Sequence, residues 1–134
     1  MLVYIAAPWQ MKTQAATRRM LLEASGIEVL ARWIDLGAFA RDSDEGARLC
    51  LEDIGRAGAV LLINPPEWES RGTGGRHVEC GVALAQGKPV VVWGIRSNTF
   101  HQLPAVRVFP EWQAAALELK RLAGGFAGDG GAYV

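Results

Sequence analysis

Three short runs of entirely apolar residues limit the fold of this 134-residue chain more than any other feature. They are Leu2–Ala7, Ala59–Ile63 and Pro89–Trp93, and each is followed at once by a turn-forming proline, asparagine or glycine. Continuous apolar runs of this length are typical of strands that are covered on both faces, as in a parallel sheet. The sequence therefore predicts a buried parallel sheet.

Helical patterns alternate with these strands along the chain. Spacing and capping residues predict helices at 13–25, from Asp42 or Ser43 to Ala57, at 76–86 and at 111–122, with two further strands at 28–34 and 106–109. Strands that alternate with helices indicate a doubly wound α/β fold, here five mainly parallel strands with helices on both faces. We find no linker or repeat, so we expect one domain, 1–134, that ends in a Gly-rich tail, 124–134.

The overall charge argues against one class of partner. Lys+Arg and Asp+Glu number 14 each, so the formal net charge is zero and nothing suggests the basic face that polymeric nucleic acid requires, and we expect no such partner. A small ligand remains possible because pockets hold small molecules without a net charge. No apolar run is long enough to span a membrane, and we expect a cytoplasmic protein with reduced thiols. The two histidines lack metal-ligand spacing, so we expect no metal site and no cofactor.

Ligands of doubly wound sheets bind beyond the carboxyl ends of the strands. Three loops leave those ends, at 7–12, 64–75 and 94–104, so Ala7 and Asn64 lie where a ligand would bind. The second loop contains Thr73 and, next to it, glycines such as Gly75 that allow the backbone to approach a ligand. Arg76 follows in the first helical turn, where a cation opposes the helix dipole, which suggests an anionic partner. An intersubunit or solvated arginine is the alternative.

Glu79 lies about one turn inside the third predicted helix, beneath the Gly-rich loop. This position predicts a partly buried carboxylate, although complementing the helix dipole is an alternative role. Tyr4 and Trp9 flank the end of the first strand, where a phenol can orient a carboxylate and an indole can stack on a base. Core packing would explain both aromatics equally well. We expect Cys80 to be a buried thiol rather than a nucleophile, and Asp53, on the second helix, would ordinarily be solvated.

Three segments together resemble the nucleoside 2-deoxyribosyltransferase superfamily, which includes the 2'-deoxynucleoside 5'-phosphate N-hydrolases. They are YIAAPW at 4–9, the pattern DIxxAxAVLLI at 53–63, and TGGRHVECGVALAQGKPV at 73–90. The resemblance covers roughly residues 2–109, and the likeness is to short, often phage-encoded members.

The resemblance implies a flavodoxin-like fold and a covalent glycosyl intermediate on Glu79. It further implies that Tyr4 holds this glutamate, that Trp9 stacks on the base, and that Asp53 places or protonates the base or orients the sugar. Asn98 matches an asparagine that reaches the sugar from a neighbouring subunit. A homodimer or higher homo-oligomer is therefore expected, with exposed aromatics such as Trp33, Trp68 or Trp112 at the interface.

Two departures from the family pattern leave the reaction open. Thr73, six positions before Glu79, replaces an aspartate of the transferases or a phosphate-binding serine of the hydrolases. The first loop, 6–9, keeps a transferase-like tryptophan and lacks the Gly-Ser phosphate loop of the hydrolases. We therefore predict a nucleoside 2-deoxyribosyltransferase. The alternatives are a 2'-deoxynucleoside 5'-monophosphate N-glycosidase and a non-catalytic nucleotide-binding module.

Overall fold

A computed structural model describes residues 1–37, 41–68 and 71–124, which form a five-stranded sheet covered by helices. The strands are β1 (Leu2–Ala6), β2 (Glu28–Val29), β3 (Ala59–Asn64), β4 (Val90–Gly94) and β5 (Val106–Phe109). Their order in the sheet is β2-β1-β3-β4-β5, and all four neighbouring pairs are parallel. This is the flavodoxin-like strand order, which confirms the predicted fold class.

Helices cover both faces of the sheet. They are α1 (Lys12–Ala24), α2 (Asp44–Arg56), α3 (Gly75–Ala85) and α4 (Trp112–Gly124). On one face α1 meets α4, because the guanidinium of Arg18 lies 4.7 Å from the ring centre of Trp112 and 4.3 Å from that of Trp93. On the other face α2 packs against α3. The central strand β3 is buried along its whole length, as its apolar sequence predicted.

The second strand is much shorter than the sequence predicted. Only Glu28–Val29 pairs in the sheet, and Arg32–Asp35 form a 3₁₀ turn instead of continuing the strand. The backbone amide of Arg32 donates to Asp53 at 2.9 Å, and the indole of Trp33 donates to the carbonyl of Ile5 at 2.8 Å. These bonds draw the chain out of the β-ladder. They also bury Trp33, so its prediction as an exposed interface residue is wrong.

The described part of the chain ends with the last residue of α4. Gly124 is the last residue of α4 rather than the first of the tail, and residues 125–134 lie outside the described part of the chain. Among the described helices, none combines the length and the apolar character that crossing a membrane requires.

Strand register places three carboxyl ends at one edge of the sheet. Ala6 of β1 pairs with Leu62, and Asn64 at the end of β3 pairs with Gly94 at the end of β4. Gly94 has a φ of 139°, and a Cβ added there would lie 1.9 Å from the carbonyl oxygen of Asn64. Only glycine lets the two strand ends approach so closely. The approach places Asn64 beside the first turn of α3.

Candidate active site

Two predicted residues that lie 75 positions apart in sequence meet at this edge. Tyr4 is fully buried in β1, and its hydroxyl donates to Oε2 of Glu79 on α3 at 2.6 Å. Burial raises the pKa of Glu79 to about 7, although hydrogen bonds from Tyr4 and Cys50 oppose the rise. Burial and the charge of Glu79 raise the pKa of Tyr4, which keeps the phenol protonated as a donor. Glu79 is therefore harder to ionise than a solvent-exposed glutamate.

Glu79 lies on the wall of a cavity of about 520 Å³. The cavity is open at the carboxyl edge of the sheet, where the doubly wound fold predicts a ligand. The first loop, the turn after β2, the segment before α2, α2 itself, the Gly-rich loop and α3 all contribute to it: Ala7, Pro8, Trp9, Gln10, Trp33, Arg41, Asp42, Cys50, Gly72, Thr73, Gly74, Gly75, Arg76 and Glu79. Six of the ten predicted site residues thus share one cavity.

Two tryptophans provide flat apolar surface in this cavity. The rings of Trp9 and Trp33 have centres 5.9 Å apart and planes inclined at 45°. The bond from Trp33 to the carbonyl of Ile5 fixes one of the two rings. Positive side chains flank the other, with Nζ of Lys12 at 5.3 Å and the guanidinium of Arg41 at 5.5 Å from the ring centre of Trp9. A planar aromatic ligand can stack against this pair.

Arg76 is a buried cation on the same cavity wall. Its side chain is only 3% exposed, and it donates to Oδ1 of Asn64 at 3.1 Å and to the carbonyl of Trp68 at 2.8 Å. Both acceptors are neutral, and within the described residues no carboxylate forms an ion pair with Arg76. Burial lowers the pKa of its guanidinium. The cavity therefore contains a positive charge next to the glycines of the loop. None of the described partners of Arg76 carries a negative charge to balance it.

Asn64 reaches the site through Arg76 rather than by lining the cavity. It is completely buried, and its amide nitrogen donates to the carbonyl of Ile95 at 2.9 Å and to the hydroxyl of Ser97 at 2.5 Å. Its amide oxygen is left to accept from Arg76. The end of β3 is thereby tied both to α3 and to the segment that follows β4.

Asp53 does not reach the cavity either. It is completely buried, with Oδ1 accepting from Nε and Nη2 of Arg32 at 2.8 and 2.6 Å and Oδ2 accepting from the Arg32 backbone amide. These contacts hold the turn that carries Trp33 into the cavity wall. A carboxylate bound in this way is poorly placed to donate a proton to a base in the cavity.

Asn98 lies away from Glu79 in its own chain. Its side chain accepts from the backbone amide of Phe100 at 2.9 Å and caps the turn Thr99–Gln102. It lines a second, largely apolar cavity of about 610 Å³ on another face of α3, together with exposed Val78, Phe100 and Leu103.

Several cavity residues were not expected from the sequence. Cys50 belongs to the apolar stripe of α2, and periodicity shows that such a residue points inward without showing whether it meets core or cavity. Arg41 and Asp42 form a two-pronged ion pair, with N–O distances of 2.8 and 2.9 Å, just before the same helix.

Two histidines lie close together beside α3. The rings of His77 and His101 have centres 5.9 Å apart, a proximity that their separation in sequence does not suggest. Within residues 1–37, 41–68 and 71–124, no three His, Cys, Asp or Glu side chains are grouped to hold a metal ion.

Comparison with known proteins shows the fold. No protein-family model and no curated protein sequence match the chain. The solved structure of Clostridium botulinum CMP N-glycosidase, BcmB, superposes with a TM-score of 0.60 at 20% identity, over 90% of this chain and 99% of that one. The chain shares the fold of that enzyme. The 2-desoxiribosyltransferase from Leishmania mexicana superposes with a TM-score of 0.62 at 15% identity, over 89% of this chain and 97% of that one.

Proposed function

We propose that this protein breaks the N-glycosidic bond of a small nucleoside or nucleotide by attack of Glu79 on the anomeric carbon. The observation that carries the proposal is the Tyr4–Glu79 pair, at 2.6 Å, on the wall of a cavity with two tryptophans. The enzymes that share its fold are named for related chemistry, one as a CMP N-glycosidase and the other as a desoxiribosyltransferase. The proposal makes this chain a member of the nucleoside 2-deoxyribosyltransferase superfamily.

The reaction is a double displacement. An oxygen of ionised Glu79 forms a bond to the anomeric carbon from the face opposite the base, and the electrons of the C–N bond leave with the base. Tyr4 holds the carboxylate in position for this attack. Because both oxygens of Asp53 are bound by Arg32, the departing nitrogen takes its proton from water. Asp53 thus acts indirectly, by fixing the turn that carries Trp33.

The second step decides the reaction class. In transfer, a nitrogen of a second base attacks the anomeric carbon and Glu79 leaves as a carboxylate. In hydrolysis, water makes the same attack. The Trp9–Trp33 wall favours transfer, because a second base that stacks there excludes water from the ester. We therefore propose 2-deoxyribosyl transfer as the principal reaction.

A second candidate is hydrolysis of a nucleoside 5'-monophosphate, and one observation favours it. Arg76 is a buried cation with neutral partners on the cavity wall, beside Thr73 and the Gly-rich loop. A phosphate would compensate this charge through charge-assisted hydrogen bonds. In that case monophosphates would react and the unphosphorylated nucleosides would not.

The test is base release by chromatography from a panel of nucleosides and their 5'-monophosphates, with and without a second free base. Release that needs the second base supports transfer, and release into water from monophosphates alone supports the hydrolase. Glu79→Gln should abolish either reaction, whereas Glu23→Gln, which changes an exposed glutamate on α1, should not. Binding of a nucleotide without release of any base would refute the proposal and favour a non-catalytic binding module.

We also propose that the protein acts as a homodimer or higher homo-oligomer. The second cavity, with exposed Val78, Phe100 and Leu103, offers an apolar surface, and Asn98 at its rim would reach a neighbouring site rather than its own. Light scattering that gave a strict monomer would exclude this role for Asn98. Both cysteines are free, which fits a reducing, cytoplasmic location.

A further inference from the structure

The guanidinium of Arg76 is held along one edge, and its other edge is open within the described residues. Nε donates to Oδ1 of Asn64 at 3.1 Å, and Nη2 donates to the carbonyl of Trp68 at 2.8 Å. Nε and Nη2 lie on the same edge of the planar group, so the edge formed by Nη1 and Nη2 keeps N–H donors that have no described acceptor. Two parallel donors of this kind are the arrangement that binds an oxyanion.

Gly72 leaves room at this open edge. A Cβ added to Gly72 would lie 3.7 Å from Nη1 of Arg76, which places that nitrogen beside the backbone of the Gly-rich loop. Gly72 has a φ of 83°, in the region that favours glycine, and without a side chain it does not cover Nη1. Both residues line the cavity of about 520 Å³. The open edge therefore belongs to the cavity side of Arg76.

Asn64 is fixed in the orientation that holds Arg76 in this way. Its side-chain nitrogen donates to the carbonyl of Ile95 at 2.9 Å and to the hydroxyl of Ser97 at 2.5 Å. A carbonyl can only accept, so the nitrogen must face Ile95 and the oxygen must face Arg76. The backbone is fixed as well, because the amide of Ile95 donates to the carbonyl of Asn64 at 3.0 Å. The Asn64 oxygen cannot turn away from Arg76 without breaking these bonds.

We propose that Asn64 is a positioning residue that directs the open edge of Arg76 toward the cavity and, being neutral, leaves the charge of Arg76 to a phosphate group of the substrate. The inference rests on the proposed function, and specifically on the candidate reaction with nucleoside 5'-monophosphates. An aspartate in the same place would hold Arg76 equally well but would balance its charge. The neutrality of Asn64 is thus what makes the cavity prefer a monophosphate to the unphosphorylated nucleoside.

A purely structural role for Asn64 is the alternative, since its bonds also tie the end of β3 to α3 and to the segment after β4. The two roles predict different results for Asn64→Asp, which keeps the size of the side chain and an acceptor for Nε of Arg76. If Asn64 were only a structural tie, the preference between phosphorylated and unphosphorylated ligands would not change. The proposed role requires that preference to fall, because the new carboxylate pairs with the guanidinium.

The test compares the affinity for a 2'-deoxynucleoside 5'-monophosphate with that for the same 2'-deoxynucleoside, by isothermal titration calorimetry. All proteins carry Glu79→Gln, so that no substrate is consumed. The ratio of the two affinities should fall about tenfold or more in Asn64→Asp, as expected for the loss of one charge-assisted hydrogen bond. Asn64→Ala, which releases Arg76 but keeps its charge, should lower the ratio by a smaller factor. Gln113→Glu, which adds the same charge at an exposed site on α4, should leave it unchanged.

A second measurement needs no change at Asn64. The Nε–H signal of Arg76, identified by its loss in Arg76→Lys, is followed in nitrogen-15 NMR spectra of the Glu79→Gln protein. The monophosphate should shift this signal saturably, and the nucleoside should shift it much less. Inorganic phosphate should shift it only at higher concentration. A shift with inorganic phosphate but not with the monophosphate would identify free phosphate as the ligand and overturn the proposal, and so would no shift with either.

An equal affinity ratio in Asn64→Asp and in its parent protein would also overturn the proposal. Binding and cleavage are measured separately, so the two claims can fail separately. If no base were released from any substrate but the ratio still fell in Asn64→Asp, the proposed cleavage would fail while the role of Asn64 would stand. If nucleosides and monophosphates released base equally well and the ratio did not change, cleavage would stand and the role of Asn64 would fail.

Discussion

The partly buried carboxyl of Glu79 should make the protein less stable as the pH rises, and Glu79→Gln should remove this effect. Folding raises the pKa of this carboxyl from its usual 4.5 to about 7. Between those values the folded state binds more protons than the unfolded state, so the free energy of unfolding falls as the pH increases. At about 1.4 kcal/mol for each unit, the loss is on the order of 3 kcal/mol by pH 8. That is a large part of the stability of a typical domain.

Urea unfolding at pH 5 and pH 8, followed by tryptophan fluorescence, measures this loss. Glutamine has the shape of glutamate and still accepts a hydrogen bond from Tyr4, but it carries no charge. We therefore expect Glu79→Gln to gain on the order of 2–3 kcal/mol relative to wild type between pH 5 and pH 8. Glu23→Gln, at an exposed site, should show no such gain. A difference between Glu79→Gln and wild type that was the same at both pH values would refute the reasoning.

Two further predictions concern stability alone. Asp53→Ala removes a fully buried acceptor of three hydrogen bonds, so the free energy of unfolding in urea should fall by about 2–4 kcal/mol, and a loss below 1 kcal/mol would contradict the structure. Gly94→Ala places a Cβ 1.9 Å from the carbonyl oxygen of Asn64, so thermal unfolding should show a loss of stability of at least about 2 kcal/mol. The control Gly55→Ala, which has open space around it on α2, should be neutral or stabilising.

Apolar runs predicted the central sheet well because burial on both faces leaves few alternatives. β3 and β5 appear within one residue of their predicted bounds, and the helices differ by one or two residues at each end. The prediction of a strand over Glu28–Ile34 was wrong for a specific reason. Its apolar residues fit a strand, but side-chain bonds to Asp53 and Ile5 between distant parts of the chain fold it into a turn. Local patterns contain no information about such partners.

Some residues of the candidate site, like some elements of the fold, could be predicted from the sequence and others could not. The resemblance placed Tyr4, Trp9 and Glu79 together, and the structure brings all three to one region at the edge of the sheet. The resemblance did not indicate Cys50 or Trp33 as cavity residues, because they reach the cavity through packing between elements. The helical stripe of α2 identifies Cys50 as inward-facing, but whether an inward residue meets a ligand depends on how far the neighbouring helix stands away.

The sequence left open whether Glu79 only complements the dipole of α3, and its position in the helix argues against that role. The dipole acts on charges within the first turn, as Asp44 and Glu45 illustrate on α2. The first turn of α3 has no acidic residue and instead contains Arg76, whose charge the dipole opposes. A dipole partner would also have a lowered pKa, whereas burial raises that of Glu79. Helix stability therefore does not account for either residue, whereas the proposed roles, Glu79 as an anionic nucleophile and Arg76 as the partner of an anionic ligand, would account for both.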